Sequence, residues 1–291
     1  MPGTLFVVAT PIGNLEDLSF RALRTLREVD VIAAEDTRRT SKLLAHYEIR
    51  KSMVSLHEHN EHREAPRLAA RLERGESIAL VTDAGTPGIS DPGAHLVHLA
   101  RERKVPVSPI PGPSAVMAAL SVSGFPAGQF LFLGFPPRSG SARRKWFAKA
   151  KSEKSVVVLF EAPHRVRQTV SELASLLGKR PIQLHRELTK LNEELVIHTN
   201  MDGEHAVKEL GEFVIVIGEG NEKADIDELQ LENQSLATAV EMFGCMTASD
   251  VFEAADAIAL TAKAFDIEEQ VVRKAVKKHK IAVNRQRQSL P

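Results

Sequence analysis

From Leu5 to about Val122, short apolar runs alternate with stretches of helical spacing, and no other feature restricts the fold as strongly. The runs are Leu5–Ala9, Val31–Ala34, Met53–Leu56, Ile78–Thr82 and Val107–Ile110. Short continuous runs of this kind suit strands buried on both faces, hence a parallel sheet covered by helices. The segments between them read as helices. Arg21–Arg27 follows Ser19, a candidate N-cap; His95–Arg103 follows Asp91-Pro92, with Asp as cap and Pro at the first helical position. A third helix over Pro113–Val122 stops near Gly124-Phe125-Pro126, a hinge into a second unit. Strands alternating with helices predict an α/β layered domain over residues 1–124.

The second α/β unit, residues 125–220, carries runs at Phe130–Phe135, Val156–Phe160, Ile182–Arg186, Leu195–His198 and Phe213–Ile217. A helix over Arg165–Leu177 ends at Gly178. The later runs follow one another with little helix between them, so a mixed sheet is expected. An acidic stretch, Glu219–Glu232, whose only base is Lys223, follows, and residues 221–234 read as a linker. Residues 235–291 are helical in pattern. Val251, Ala254, Ala255, Ile258, Ala259 and Ala262 share one helical spacing, and Val271, Val272, Ala275 and Val276 another. The pair is either a helix-turn-helix-like appendage or a hairpin that packs on the body or joins two subunits.

With 43% hydrophobic and 26% charged residues, the chain can bury the cores of two domains and is not a disordered polymer. Lys+Arg 38 balances Asp+Glu 38, so any nucleic-acid contact must rest on local asymmetry. The single cysteine, Cys245, allows neither an internal disulfide nor a multi-cysteine zinc site, and suits a reducing compartment. No stretch approaches the roughly 18 apolar residues of a membrane helix. The N-terminus lacks a basic segment ahead of its apolar run. A cytoplasmic protein without a membrane span is expected.

Two loops have the composition of a ligand site. Asp83-Ala-Gly-Thr-Pro-Gly-Ile-Ser-Asp-Pro-Gly93 lies between a strand and a helix, where open α/β sheets bind their ligands. Gly85 and Gly88 allow close backbone approach, Thr86 and Ser90 offer hydroxyls, and no lysine competes with a cationic ligand. Pro109-Ile-Pro-Gly-Pro-Ser-Ala115 follows the next strand and opens a helix with free amides. Together the loops define one cleft. No G-x-G-x-x-G follows the first strand and no G-x-x-x-x-G-K-[ST] occurs, which disfavours dinucleotide and standard nucleotide-phosphate binding.

The segments GTLFVVATPIGNLEDLSFRAL, VIAAEDTRRT, LVTDAGTPGISDPG, IPGPSA, FEAPHR and RELTK, in this order, resemble the bacterial 16S ribosomal RNA (cytidine-2′-O)-methyltransferases. That branch belongs to the tetrapyrrole-methylase superfamily, the class III methyltransferase fold. The resemblance covers Gly3 to about Lys190 and implies two α/β domains, a homodimer, and S-adenosylmethionine in the cleft between the domains. Matched motif by motif, it implies cofactor contacts at Gly85, Thr86, Pro87 and Ser90, at Ser114 and Ala115, and at Phe160 and Glu161, with Pro11 near the mouth. It implies as substrate a cytidine ribose 2′-hydroxyl in the decoding centre of small-subunit RNA.

Arg138–Lys154 carries Arg138, Arg143, Arg144, Lys145, Lys149, Lys151 and Lys154 against one acid, Glu153, with Trp146 and Phe147 inside the run. By itself this suits a solvated helix face with the aromatics packed inward. The resemblance assigns its basic residues to RNA phosphates. The tail Arg273–Arg287 is a second basic stretch. Transfer to a hydroxyl needs positioning and a proton acceptor. Glu35, Asp36, Glu161, His164 and Glu187 are candidate bases, and Arg38, Arg165 and Lys190 can orient phosphate or stabilise an alkoxide. Glu35-Asp36 follows a buried run, so a structural ion pair with Arg38 or Arg39 is the competing account. His57, His59 and His62 lack the i, i+4 zinc spacing and read as a polar loop over the cleft, with no metal. Two further functions stay open: methylation of a tetrapyrrole-like small molecule, and RNA binding without catalysis.

Overall fold

The computed structural model describes residues 1–198, 208–220, 236, 238–243, 245–247, 253–265 and 267–277. The first sheet contains β1 (Leu5–Val8), β2 (Val31–Ala34), β3 (Ser52–Ser55), β4 (Ile78–Val81) and β5 (Val107–Ile110), ordered β3-β2-β4-β1-β5. All of its pairings are parallel, with Leu5 opposite both Ile78 and Val107. Burial on both faces explains the continuous runs. Val31, Ala33, Ile78 and Leu80 pack against Leu68 and Leu72 of α3 (Glu61–Glu73) and Leu96 of α4 (Ala94–Glu102). Ile32, Ala34, Ala79 and Val81 point the other way, onto Ala22 and Leu26 of α1 (Phe20–Glu28) and Leu44 of α2 (Thr37–His46). Adjacent residues serving opposite helical layers is the period-two rule of a strand.

The second sheet contains β6 (Phe130–Phe132), β7 (Val156–Glu161), β8 (Ile182–Arg186), β9 (Glu194–His198) and β10 (Phe213–Ile217), ordered β6-β7-β10-β8-β9. β6 and β7 run parallel and the other pairs antiparallel, so the sheet is mixed as expected. Val157, Leu159, Leu184 and Ile215 meet Phe147 of α6 (Gly140–Ser152) and Val166 and Leu173 of α7 (Pro163–Leu177). The opposite face, Val156, Val158, Val214 and Val216, receives Val116, Ala119 and Leu120 of α5 (Ala115–Ser123). α5 leaves the last strand of the first sheet and buries its apolar side on the second. Both sheets thus share one compact unit, residues 1–220.

Ser19 caps α1 by accepting from the Ala22 amide at 3.1 Å. The cap expected for α4 is corrected. Its N-cap is Gly93, at φ 120°, and Asp91 lies before the helix. Glu61 of α3 supplies the missing acceptor, taking hydrogen bonds from the Gly93 and His95 amides at 2.9 and 3.1 Å. A carboxylate brought from another helix has displaced the local one.

A second unit spans residues 221–291, with a core of Phe243, Ala257, Ile258, Ala262, Val272 and Val276. In its helix Ala254–Phe265, the buried stripe is Ala257, Ile258, Thr261 and Ala262, whereas Ala254, Ala255 and Ala259 are exposed. The apolar spacing over-counted alanines, whose small side chains tolerate either side. The acidic linker 221–234 and the basic tail beyond residue 277 lie outside the described residues.

Candidate functional site

A parallel sheet sends all its strand-end loops to one edge, where ligands of open α/β sheets bind. Here the loops after β1, β2, β4 and β5 converge on a cavity of about 450 Å³ whose opposite wall is the second sheet. That volume lies within the roughly 300–1,000 Å³ typical of small-molecule and cofactor sites. Thr10 N donates to Gly85 O at 2.9 Å and Gly85 N to Thr10 O at 3.0 Å, pinning the β4 loop to the β1 loop. Gly85 sits at φ 82° and Ser90 at φ 64°, so a non-glycine residue at the cavity edge holds a left-handed backbone.

Gly85, Thr86, Ser90, Ser114, Ala115, Phe160 and Glu161 all line the cavity. Pro11 and Pro87 are buried and do not line it. Ser114 caps α5, which aims that helix's first turn at the cavity wall. Glu161, at the end of β7, is fully buried, 2.6 Å from the Arg165 guanidinium. It also accepts from the Thr169 hydroxyl at 2.6 Å.

The candidate bases divide by position. Glu35 lines the cavity, accepts from the Asp83 amide at 3.2 Å, and has its pKa raised, first by burial. Asp83 in turn accepts from the Asp36 amide at 3.1 Å and meets Arg39 at 3.4 Å. Asp91 projects into the same cavity, and burial, then the Glu35 charge, pushes its pKa to about 6. Asp36 does not line the cavity. It accepts from the Arg38 amide at 2.8 Å as cap of α2 and grips the Arg38 side chain, whose hydrogen bonds lower its pKa to about 2. Glu187, at φ 54°, is also outside the lining, 2.8 Å from Lys190. Burial would raise its pKa, but hydrogen bonds from Lys190 and the Glu212 amide hold it below the ordinary value. Lys190 bridges Glu187 and Glu212, at 2.8 and 3.0 Å.

The residues assigned to RNA divide similarly. Arg138, Arg144 and Lys145 are exposed, and the first two edge a groove between α6 and α7. Arg143 is buried. It pairs with Glu172 at 3.0 Å, donates to Pro137 O at 3.0 Å and to Thr169 at 3.1 Å, and lies 4.7 Å over the Phe147 ring. Its guanidinium is committed to the interior. Trp146 and Phe147 pack inward as the helix-face account requires, with Trp146 Nε1 donating to Leu133 O at 3.1 Å. His164 is exposed, Arg165 is tied to Glu161, and Arg38 is exposed but paired with Asp36. The His57 and His59 rings lie 5.9 Å apart, and His62 lies 5.1 Å from His95. Among the described residues no group of three or more potential metal ligands gathers.

Sequence reasoning passed over Arg39, Phe135, His185, Glu212 and Val214 as cavity residues. Two of them arrive through strand pairing: His185 lies opposite Val214, which lies opposite Phe160, in one cross-strand row. Burial holds the His185 pKa below its ordinary value. Among the described residues no helix is long and apolar enough to cross a membrane.

Residues 4–202 match the profile of the family described as Tetrapyrrole (Corrin/Porphyrin) Methylases. The ribosomal RNA small subunit methyltransferase I of Halalkalibacterium halodurans is 45% identical over 244 residues, covering 83% of this chain and 84% of the relative. The protein of the same name from Thermotoga maritima is 43% identical over 218 residues, covering 74% of this chain and 98% of the relative. Among solved structures, a diphthine synthase superposes with a TM-score of 0.58 at 16% identity, covering 74% of this chain and 90% of its own. Sequence kinship over most of the chain, with a shared fold of two sheets, establishes that this protein belongs to the tetrapyrrole methylase family.

Proposed function

We propose that the protein is an S-adenosylmethionine-dependent methyltransferase acting on the ribose 2′-hydroxyl of a cytidine in the decoding centre of 16S ribosomal RNA. The observation that carries the reading is the charge of the cavity. Glu35, Asp83, Asp91, Glu161 and Glu212 line it, the single Lys or Arg in its lining among the described residues is Arg39, and that guanidinium faces Asp83. A negative, lysine-free cavity beside a glycine-bearing loop fits a ligand that carries a sulfonium and an ammonium. Bound there, S-adenosylmethionine supplies an activated methyl group with a neutral thioether as leaving group. The name shared by these relatives supports ribosomal RNA as the acceptor. The exposed Arg138, Arg144 and Lys145 provide phosphate contacts beside the second sheet.

The chain's own part is to hold the acceptor oxygen in line and to take its proton. Glu35 and Asp91 are suited to the second task. Both line the cavity with raised pKa values, and a carboxyl at about 6 is ionised near neutrality yet more basic than an ordinary aspartate. Arg143, Asp36 and Glu187 act structurally: none of them lines the cavity, and each carries an ion pair with a neighbouring side chain. The protein works in the cytoplasm as a homodimer, an assembly supported by the half-exposed Met117 and Val122 on α5. Light scattering on the purified chain gives twice the monomer mass if this is correct.

The decisive experiment incubates the protein with methyl-labelled cofactor and small ribosomal subunits, then maps 2′-O-methylated nucleotides. Label at one cytidine of the decoding centre is the expected result. Label found only in a tetrapyrrole offered in parallel would eliminate RNA as the substrate.

A further inference from the structure

The loop joining β6 to α6 is held by its carbonyls. Trp146 Nε1 donates to Leu133 O at 3.1 Å and the Phe160 amide to Gly134 O at 3.0 Å. Arg165 Nη1 donates to Pro136 O at 3.1 Å and Arg143 Nη1 to Pro137 O at 3.0 Å. Carbonyls on both sides of Phe135 are thus tied down, by side chains that reach in from α6 and α7 and by the β7 backbone. Yet the Phe135 side chain is not put away: the residue is 52% exposed and lines the mouth of the cavity. Burying a phenylalanine is worth about 1.5–3 kcal/mol, so a loop free to rearrange would hide it. This one is clamped in the position that leaves the ring out.

The surroundings show what an exposed ring there can bind. Phe135 rests on Phe160, centroids 5.5 Å apart, and Phe160 rests on Phe132 at 5.0 Å. The aromatic row therefore fixes the angle at which Phe135 is presented. Ile89, also 52% exposed, lines the same cavity from the β4 loop. The two loops touch nearby, since a Cβ on Gly134 would lie 3.5 Å from Ser90 Oγ. Immediately downstream along the chain, Arg138 and Arg144 edge the open groove between α6 and α7. A rigid aromatic face at the mouth of a reaction cavity, followed by exposed guanidinium groups, has the chemistry of a single-stranded nucleotide site. Bases stack on the ring while cations take the phosphates.

We propose that Phe135 is the stacking platform for the target nucleotide's unpaired base and sets the ribose at the mouth of the cavity. The inference rests on the RNA reading above and adds a substrate-recognition residue to it. The test measures the KM for small-subunit RNA at saturating cofactor, and the cofactor Kd by calorimetry, in the wild type, Phe135→Ala, Phe135→Leu and Phe135→Trp. Loss of one base–aromatic stack corresponds to about a tenfold or greater rise in the RNA KM. That rise is expected for Ala and Leu, with Trp retaining affinity and any change in cofactor Kd smaller than the change in RNA KM. Leu keeps the apolar bulk, so it reports on stacking even if the Ala variant folds poorly. An RNA KM equal to wild type in the Leu variant overturns the proposal. So does a loss confined to cofactor Kd, which would put the cofactor's own adenine on the ring. A wild-type enzyme that binds cofactor but leaves RNA unmethylated removes the RNA reading itself, a result separable from either.

Discussion

Glu161 and Asp91 border one cavity with different company, and their substitutions have opposite consequences. Glu161 is buried against Arg165 and Thr169. Glu161→Ala leaves the guanidinium without its carboxylate, and breaking such a buried pair costs about 3–5 kcal/mol. The urea midpoint falls accordingly, and an unchanged midpoint would refute the buried pair. Asp91 meets burial and the Glu35 charge, which raise its pKa from 3.8 to about 6. Below the lower value both folded and unfolded chains are protonated and nothing is lost. Between the two values the folded state binds more protons, so stability falls as pH rises; above about 6 the whole penalty is in force. Asp91→Asn therefore raises Tm at about pH 8 and leaves it unchanged near pH 3.5. Thermal melts of the unliganded pair across that range test the sign. Neither behaviour was legible in sequence, where Asp91 read as a helix cap: the distance between an acid and a charge on another loop is a tertiary quantity.

At the scale of elements, apolar runs reported strands well, because burial on both faces leaves little room for polar residues. β2 and β10, apolar and buried at every position, begin and end as the runs do. Helix starts were less legible, since a cap can be supplied from elsewhere, as Glu61 does for α4. Gly93 shows what that element tolerates. It has φ 120°, and a Cβ there would lie 2.6 Å from Leu80 Cδ2 in β4. Gly93→Ala is expected to cost about 1–3 kcal/mol through backbone strain and overpacking. The same change displaces the Asp83–Gly93 loop and weakens cofactor binding, which denaturation and calorimetry measure in turn. Wild-type values in both would mean that the loop accepts a side chain at its end.

Across the whole molecule, the two compact units have separate apolar cores, and a relative of almost full-length similarity is matched by a shorter stretch of this chain. Residues 1–220 alone are expected to unfold cooperatively and to bind S-adenosylmethionine with the Kd of the full chain. Circular dichroism melts and calorimetry decide this, and a truncated chain that fails to fold would make the C-terminal unit part of the core. What the sequence by itself determined was the class of fold, the order of the strands along the chain and the loops that line the cavity. Those follow from local facts: apolar periodicity, glycine and proline in turns, and motifs that stay contiguous. Only the tertiary structure decided which charges face the cavity, because pairing depends on strand order and register. Arg143 turned inward and Phe135 stayed outside for the same reason. Each position is set by hydrogen bonds to groups distant in sequence, which no spacing along the chain reveals.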